Sequence, residues 1–159
     1  MKDPMEGTSM VDLALRRVMI RDGWDSQYIF LQEAKGKRSF LIVIGKSEAE
    51  EIARVVKGEK PGRPLTHQLA YETIRALGAE LKRVDIVDLR SNTYFAQLVL
   101  QDAHGELTAV VDARPSDAVA LALRAKCPLR ISESVLEQVR TDEDGPDPLP
   151  EPGGGDESE

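Results

Sequence analysis

Apolar and polar residues alternate with a period of two in the first third of the chain. Residues 11–15 alternate in this way, which is typical of a half-buried strand. Two apolar runs, 28–31 and 40–44, flank the polar sequence Lys-Gly-Lys at 35–37, and this arrangement predicts a β-hairpin. We therefore expect the domain to begin with strands.

The apolar spacing then changes to that of helices. Ser47 and Glu50 have the spacing of a capping box, which predicts a first helix with Ser47 as its N-cap. The stretch 57–62, which contains Gly and Pro, ends this helix. A second helix is predicted over 66–77, with Gly78 as its stop. Its expected buried face consists of Leu69, Ala70, Ile74 and Leu77.

Three further strands precede a third helix. The strands are predicted over 81–89, 93–101 and 107–112, and the short turns between them imply antiparallel neighbours. Pro115 suits the first position of a helix, and every residue in 118–123 is apolar. Because a helix that is apolar on every side is buried on every side, we place this helix at the centre of the domain.

The order of the predicted elements defines the fold class. A short strand at 129–131 and a helix capped by Ser132 complete the pattern. This order predicts an α+β fold, in which a mixed, largely antiparallel sheet packs with three to four helices, one of them central and apolar. The domain is expected over residues 10–140, between a frayed N-terminus at 1–9 and a disordered, Pro- and Gly-rich tail at 141–159.

The charge of the chain is concentrated at its C-terminus. The chain has 159 residues and a net charge of −7. Eight of its 28 acidic residues and none of its 21 basic residues lie in 141–159, so the predicted domain is almost neutral. A neutral domain neither requires nor excludes a polyanionic partner.

Composition excludes several classes of protein. Cys127 is the single cysteine, so the chain cannot form an intramolecular disulfide or a multi-cysteine zinc site. No apolar run approaches the ~18 residues that a membrane span needs, and residues 1–10 contain no apolar signal-peptide core. We therefore expect a cytoplasmic protein without a membrane segment.

Two segments place charged and hydrogen-bonding residues at predicted helix starts. They are 63–67, Arg-Pro-Leu-Thr-His, and 112–117, Asp-Ala-Arg-Pro-Ser-Asp. Free backbone N–H groups and the helix dipole favour anions there, and arginine can hold a phosphate with two hydrogen bonds. We therefore expect the two segments to meet in one phosphate-binding pocket. The predicted phosphate-binding residues are Arg63, Thr66, Arg114 and Ser116.

The same segments contain residues suited to catalysis. Asp112 and Asp117 lie on either side of a strand-to-helix turn and are predicted to hold Mg²⁺ or Mn²⁺, with Glu48 as a further ligand. His67 is a candidate general acid or base, because imidazole titrates near neutral pH. The predicted catalytic residues are His67, Asp112 and Asp117.

Structural roles explain the same residues as well. Arg114 forms an ion pair with either aspartate in this interpretation, and Asp117 stabilises the helix start. Thr66 is then an N-cap, and His67 is a hydrogen-bonded structural histidine. A set of basic residues either follows a nucleic-acid backbone or forms a solvated helix face: Lys46, Arg54, Lys57, Lys60 and Arg63.

The two segments resemble the motifs of the bifunctional nuclease family. The resemblance covers 63–67 and 111–122, continues at 40–49 and 128–133, and so spans roughly residues 10–139. It implies an α+β fold with a largely antiparallel sheet. It also implies hydrolysis of phosphodiester bonds in RNA and DNA and assembly as a dimer or larger homo-oligomer.

One position departs from the family pattern. The family commonly has Asp directly after the histidine, where this chain has Gln68. If that carboxylate binds a metal, this chain lacks one ligand, because an amide is a poorer ligand. The acidic tail also differs from the family, and we interpret it as a solubilising segment or as a nucleic-acid mimic that occupies a basic surface.

Two functions therefore remain open. In the first, the protein is a nuclease with little sequence preference. Asp112 and Asp117 hold a divalent cation, Arg63 and Arg114 stabilise charge on the phosphate, and His67 moves a proton. In the second, the protein is a non-catalytic anion-binding, protein-binding or assembly module that retains the fold, and Gln68 favours this alternative.

Overall fold

Seven strands form one sheet in the computed structural model, which describes residues 1–141. The strands are β1 (Met10–Met19), β2 (Gln27–Glu33), β3 (Ser39–Ile44), β4 (Glu80–Arg90), β5 (Thr93–Gln101), β6 (Leu107–Ala113) and β7 (Leu129–Ser132). Their order across the sheet is β3-β2-β1-β7-β4-β5-β6. Within this part of the chain, neighbouring strands are antiparallel except β4 and β7, which are parallel. The predicted mixed, largely antiparallel sheet is confirmed.

Helices pack on this sheet around a central one. The described residues contain α1 (Lys46–Lys57), α2 (Thr66–Ala76), α3 (Pro115–Ala125) and α4 (Glu133–Val139). α3 packs against β4 and β5 and contacts both α1 and α2. Ser116 and every residue from 118 to 122 are buried, because this stretch offers no charged side chain that must reach water. The α+β fold with a central apolar helix is therefore confirmed.

The predicted start of α1 is wrong. The helix begins at Lys46 with Gly45 as its N-cap, and no side chain makes a capping hydrogen bond. The reason is that β3 continues to Ile44, so a single extended residue connects strand and helix. Glu48 consequently occupies the third helical position, where a carboxylate faces free N–H groups. The predicted cap of α4 is confirmed, since the Ser132 hydroxyl accepts a hydrogen bond from the backbone N–H of Val135.

The predicted buried face of α2 is also wrong. Leu69 is 57% exposed and Leu77 is 82% exposed, and Ala70 also faces solvent. Only Tyr71 and Ile74, among the described residues of this helix, are apolar side chains packed partly against the core. The helix packs on α3 and β4, and this packing leaves Leu69, Ala70 and Leu77 exposed.

The ends of the described region are attached to the domain. The Asp3 carboxylate lies 2.6 Å from Nη2 of Arg83, and the Ser9 carbonyl accepts a hydrogen bond from the backbone of Glu133. Asp3 and Ser9 therefore contact the domain, and the frayed N-terminus at 1–9 stays a prediction. Thr141 pairs with Ser39. The predicted disordered tail beyond it lies outside the described residues.

The helices of residues 1–141 are too short or too polar to cross a membrane.

Candidate active site

The two motif segments meet at Asp117. His67 lies in the first turn of α2, and Asp117 lies in the first turn of α3. Nε2 of His67 is 2.7 Å from Oδ1 of Asp117, although the residues are fifty positions apart in the chain. Since α2 packs on α3, this contact joins the starts of the two helices. The structure thus brings together one residue from each predicted segment.

Arg114 binds the same carboxylate from the other side. Its Nε lies 2.9 Å from Oδ2 of Asp117, and its Nη2 lies 3.2 Å from Oδ1. The same Nη2 is 3.1 Å from Oε1 of Glu48 on α1. Arg114 therefore bridges two carboxylates that belong to different helices. We call these four residues, Glu48, His67, Arg114 and Asp117, the Asp117 cluster.

The neighbouring groups fix the charge state of Asp117. Burial alone would raise the pKa of Asp117, but hydrogen bonds from Arg114 and His67 outweigh burial and hold its pKa below the usual value. Asp117 in turn raises the pKa of Arg114. Asp117 is therefore a carboxylate at neutral pH, and Nε2 of His67 must be the donor in their contact. In a neutral ring, Nδ1 is then left as a proton acceptor.

Two grooves lie beside the cluster. The α1–α2 groove has a volume of about 420 Å³, and His67 and Glu48 form part of its wall. The helix-start groove has a volume of about 460 Å³ and contains the first residues of α3, Pro115 and Ser116, together with Gly45 before α1. Arg114 lines this second groove and is 66% exposed, so its guanidinium is accessible to a ligand.

Asp112 lies on the face of the sheet that is opposite to the helices and the Asp117 cluster. Its register partner on β5 is Gln97, whose partner on β4 is the buried Asp85, and directly paired residues share a face. The adjacent pair, Val111 and Leu98, faces the helices. In residues 1–141, no hydrogen bond or ion pair joins Asp112 to the Asp117 cluster. The structure therefore does not bring the two predicted catalytic aspartates together.

The other predicted phosphate-binding residues lie around the cluster. Arg63 is exposed in the loop before α2, and its side chain has no ion pair among the described residues. Thr66 is the first residue of α2 and lines the α1–α2 groove, but Leu65 is the N-cap, so the alternative role of Thr66 as an N-cap is wrong. Ser116 is buried beside the helix-start groove. The Gln68 amide donates to Glu72 on its own helix, so this residue points along α2.

The predicted metal ligands do not form a preformed metal site. Within residues 1–141, no three His, Cys, Asp or Glu side chains are grouped closely enough to hold a metal ion. Glu48 and Asp117 approach a common point, but the guanidinium of Arg114 lies between them. A divalent cation would have to displace this group. The residues present therefore do not fit the predicted Mg²⁺ or Mn²⁺ site.

The sequence prediction missed an acidic residue at the base of the α1–α2 groove. Glu51 is 2% exposed and binds Arg54 at 2.9 Å and Arg124 at 2.8 Å. Burial opposes ionisation of Glu51, yet the two arginines hold its pKa below the usual value. The spacing of Glu51 and Arg54 by three residues was a usable signal. Arg54 is therefore held in an ion pair with Glu51. It is not one of a set of unpaired basic residues that could follow a nucleic-acid backbone.

The fold and cluster together define an α+β domain with a His–Asp–Arg cluster at two helix starts. The model of the bifunctional nuclease domain matches residues 29–144, which is most of the chain. The chain therefore belongs to the bifunctional nuclease domain family, as its motifs indicated.

Relatives in bacteria and plants are consistent with this assignment. An uncharacterized protein of Mycobacterium tuberculosis strain H37Rv is 46% identical over 110 residues, which cover 69% of this chain and 64% of that protein. Bifunctional nuclease 1 of Arabidopsis thaliana is 33% identical over 72 residues, or 45% of this chain and 22% of that protein. Bifunctional nuclease 2 of Oryza sativa subsp. japonica is 28% identical over 109 residues, which cover 67% of this chain and 34% of that protein. The chain thus spans less than two thirds of the length of these relatives.

Proposed function

We propose that this protein is a nuclease that cleaves phosphodiester bonds, with the Asp117 cluster as its active site. The observation that carries the proposal is the 2.7 Å contact between His67 and Asp117, which orients an imidazole beside an exposed arginine. Membership of the bifunctional nuclease domain family supports it, and so do the names of the plant relatives. Nucleic acid is accordingly the proposed substrate.

His67 acts as the general base in this proposal. Asp117 accepts a hydrogen bond from Nε2–H and so leaves Nδ1 available to remove a proton from the attacking hydroxyl group. The carboxylate also stabilises the imidazolium ion that results, as an orienting aspartate does in other hydrolases. A positioned base of this kind contributes typically ~10²–10⁴-fold to the rate. Asp117 is thus a positioning residue.

Arg114 stabilises charge on the phosphate. Its Nε and Nη2 are bonded to carboxylates, whereas Nη1 has no hydrogen-bond partner in the described part of the chain. The backbone N–H groups at the starts of α1 and α3 lie near the same groove, and no side chain caps either helix. These donors favour an anion. Arg63, Thr66 and Ser116 remain proposed phosphate contacts, and a homo-oligomer remains a prediction.

The histidines of the chain offer a matched pair of variants. The chain contains two, and His104 is exposed in the turn between β5 and β6. We expect His67→Ala to lower the cleavage rate of labelled RNA and DNA by ~100-fold or more, since the general base is lost. His104→Ala should cleave like the unaltered protein. Equal activity in both variants would show that His67 is not the base, or that a contaminant is responsible.

One observation favours a second candidate function. Arg114 is already bonded to two carboxylates, so much of its charge is offset before a ligand arrives. An ion pair of this type also fixes a helix start in a non-catalytic anion-binding or assembly module. Fluorescence anisotropy with labelled RNA distinguishes the two functions. Binding without cleavage, unaffected by His67→Ala, would support the module.

A further inference from the structure

The loop between β1 and β2 carries the single tryptophan of the chain. Trp24 is 58% exposed and is not part of the hydrophobic core of residues 1–141. A packed aromatic side chain buries about 150–250 Å², so an exposed one gives up a large apolar contribution to stability. We propose that Trp24 stacks on an unpaired base of the nucleic acid whose phosphate lies at Arg114. This inference rests on the proposed nuclease function, which supplies the ligand, and it assigns a substrate-binding residue.

A buried side chain holds the loop of Trp24 in one conformation. Gln27, the first residue of β2, is fully buried. Its Oε1 accepts a hydrogen bond from the backbone N–H of Arg21, and its Nε2 donates to the carbonyl of Trp24 at 2.8 Å. The N–H of Trp24 donates to the Arg21 carbonyl at 3.2 Å. The ring is thus presented at a set position, so binding loses little conformational entropy.

The indole ring already has a cationic stacking partner. Cζ of Arg21 lies 5.4 Å from the ring centroid, which is within the range of a cation–π contact. Trp24 remains more than half exposed beside it, so the guanidinium does not cover the ring. Aromatic rings that accept bases, combined with basic residues that offset the phosphate charge, are typical of proteins that bind single strands.

The loop of Trp24 adjoins the helix-start groove. Asp25 and Ser26, the two residues that follow Trp24, line this groove together with Arg114. Nη1 of Arg114 has no hydrogen-bond partner within residues 1–141. The groove has a volume of about 460 Å³, which is in the range of sites for small molecules. One groove therefore connects the loop of Trp24 with the exposed guanidinium.

Charge sets the orientation of the strand in this groove. The Asp25 carboxylate repels a phosphate on the loop side. Arg114 and the N-terminus of α3, which no side chain caps, attract a phosphate at the helix start. The uncharged base is therefore expected at Trp24. Because every base has a π-face, this contact accepts RNA and DNA alike and disfavours bases that are paired in a duplex.

A second copy of the chain is the competing occupant of this surface. Ile20 is 38% exposed before the loop, and Val43 on β3 lines the groove and is 56% exposed. The core of a protein interface is depleted of charged residues. Here the exposed charged residues Arg21 and Asp25 lie on either side of Trp24 in the chain. This charge favours a polar ligand over a second copy.

The fluorescence of the chain tests the contact directly, because Trp24 is its only indole. The full chain is titrated with a phosphorothioate single strand of about 12 thymidine nucleotides, which resists hydrolysis. We expect stacking to quench the emission until the site is saturated. The midpoint should agree with the Kd from the anisotropy of a labelled copy of the strand. The duplex form of the same strand should quench several-fold less.

Trp24→Ala is expected to weaken binding of this strand by about 5- to 150-fold, the loss that removal of one stacking contact gives. In cleavage assays, KM should rise by a similar factor and kcat should stay unchanged, because stacking is equal in the ground state and the transition state. Trp24→Phe keeps an aromatic ring and should retain part of the affinity. The matched control is Leu77→Ala, since Leu77 is 82% exposed at the end of α2 and does not line the groove. It should bind like the unaltered protein.

A strand without bases separates stacking from other effects of the substitution. A phosphodiester strand of abasic sites should bind Trp24→Ala and the unaltered protein with equal affinity, because it offers nothing to stack. If Trp24→Ala weakens binding of the abasic strand as much as that of the thymidine strand, the ring does not bind a base and the inference is overturned.

The failure of this inference is distinguishable from that of the nuclease function. Cleavage with unchanged affinity and KM in Trp24→Ala would overturn the inference alone. Saturable quenching without cleavage by the unaltered chain would support stacking and overturn the nuclease function. A dimer in analytical ultracentrifugation that Trp24→Ala disperses would show that a second copy covers the ring, and it would overturn the inference.

Discussion

Two clusters of arginine and aspartate lie on opposite sides of the same sheet, and water reaches them to different extents. On the face away from α3, Asp85 is fully buried, with Nε of Arg83 at 2.8 Å and Nε of Arg130 at 2.8 Å. In the Asp117 cluster, the aspartate side chain is 27% exposed and its arginine, Arg114, is 66% exposed. An aspartate–arginine ion pair is thus buried on one face of the sheet and accessible to solvent on the other.

This difference separates a structural role from a functional one. Both oxygens of Asp85 are bonded to arginines, and burial leaves no access for a ligand. Asp117 also binds a histidine, and its arginine retains an unpartnered nitrogen atom beside a groove. An ion pair that is accessible and that includes a titratable ring is typical of a functional site. We therefore expect the Asp85 cluster, which consists of Asp85, Arg83 and Arg130, to control stability. The Asp117 cluster is expected to control activity.

The largest effect is expected for Asp85→Ala. Removing this carboxylate leaves Arg83, whose side chain is 7% exposed, with Asp3 as its one remaining carboxylate partner among the described residues. Breaking a buried pair on one side typically costs about 3–5 kcal/mol, so the free energy of unfolding should fall by that amount. Urea denaturation followed by circular dichroism measures it.

The matched control lies on the same strand. Asp88 forms an exposed pair with Arg90, with side-chain exposures of 47% and 66%. Because solvent screens such pairs, Asp88→Ala should cost less than about 1 kcal/mol. If the two variants lose equal stability, burial does not account for the contribution of Asp85 and its arginines to stability.

Asp117→Asn is expected to have the second largest effect, on activity. An amide cannot hold the imidazole in the same orientation and protonation state as a carboxylate, so we expect kcat to fall by ~100-fold, or about 2.7 kcal/mol in activation free energy. The free energy of unfolding should change by less than about 1 kcal/mol, because the cluster is open to solvent. Steady-state kinetics and urea denaturation of the same preparation give both values. A variant that is unstable but fully active would reverse the roles of the two clusters.

A smaller effect is expected in the acid range. Hydrogen bonds from Arg114 and His67 outweigh burial and hold the pKa of Asp117 below its usual 3.8. A carboxyl group with a lowered pKa adds stability above the unfolded-state pKa, and this is lost as the pH falls through the folded-state pKa. The stability difference between the unaltered protein and Asp117→Asn should therefore be present at pH 6 and shrink below about pH 4. Urea midpoints from pH 6 to pH 2.5 test this, and a difference independent of pH would contradict it.

The central helix was predictable from sequence because its composition leaves no other placement. Residues 118–122 are apolar, and a helix without a polar side must be enclosed. The same reasoning failed for α2, whose apolar residues Leu69 and Leu77 are exposed. Periodicity shows which residues share a face, but it does not show whether another element covers that face.

The candidate site was predictable only in part, for a related reason. The motifs indicated that His67 and Asp117 begin helices, and helix packing brings them into contact. Asp112 follows Val110 and Val111, so the period-two pattern does not show which face of β6 it occupies. Its face depends on register with β5, which includes an irregularity, and register is a non-local property.

The smallest effect is expected for Asp112→Asn. Asp112 is exposed on the far face of an edge strand, and among the described residues it has no ion pair. Activity and the free energy of unfolding should therefore both stay close to those of the unaltered protein, within about two-fold and about 0.5 kcal/mol. This result bears on which side of the sheet is catalytic, because the Asp117 cluster lies on the helix side and Asp112 lies on the other side. If Asp112→Asn folds normally but loses activity, the pair of metal-binding aspartates predicted from sequence must assemble when substrate binds. Solvent exposure of the Asp117 cluster would then not be enough to identify the active site.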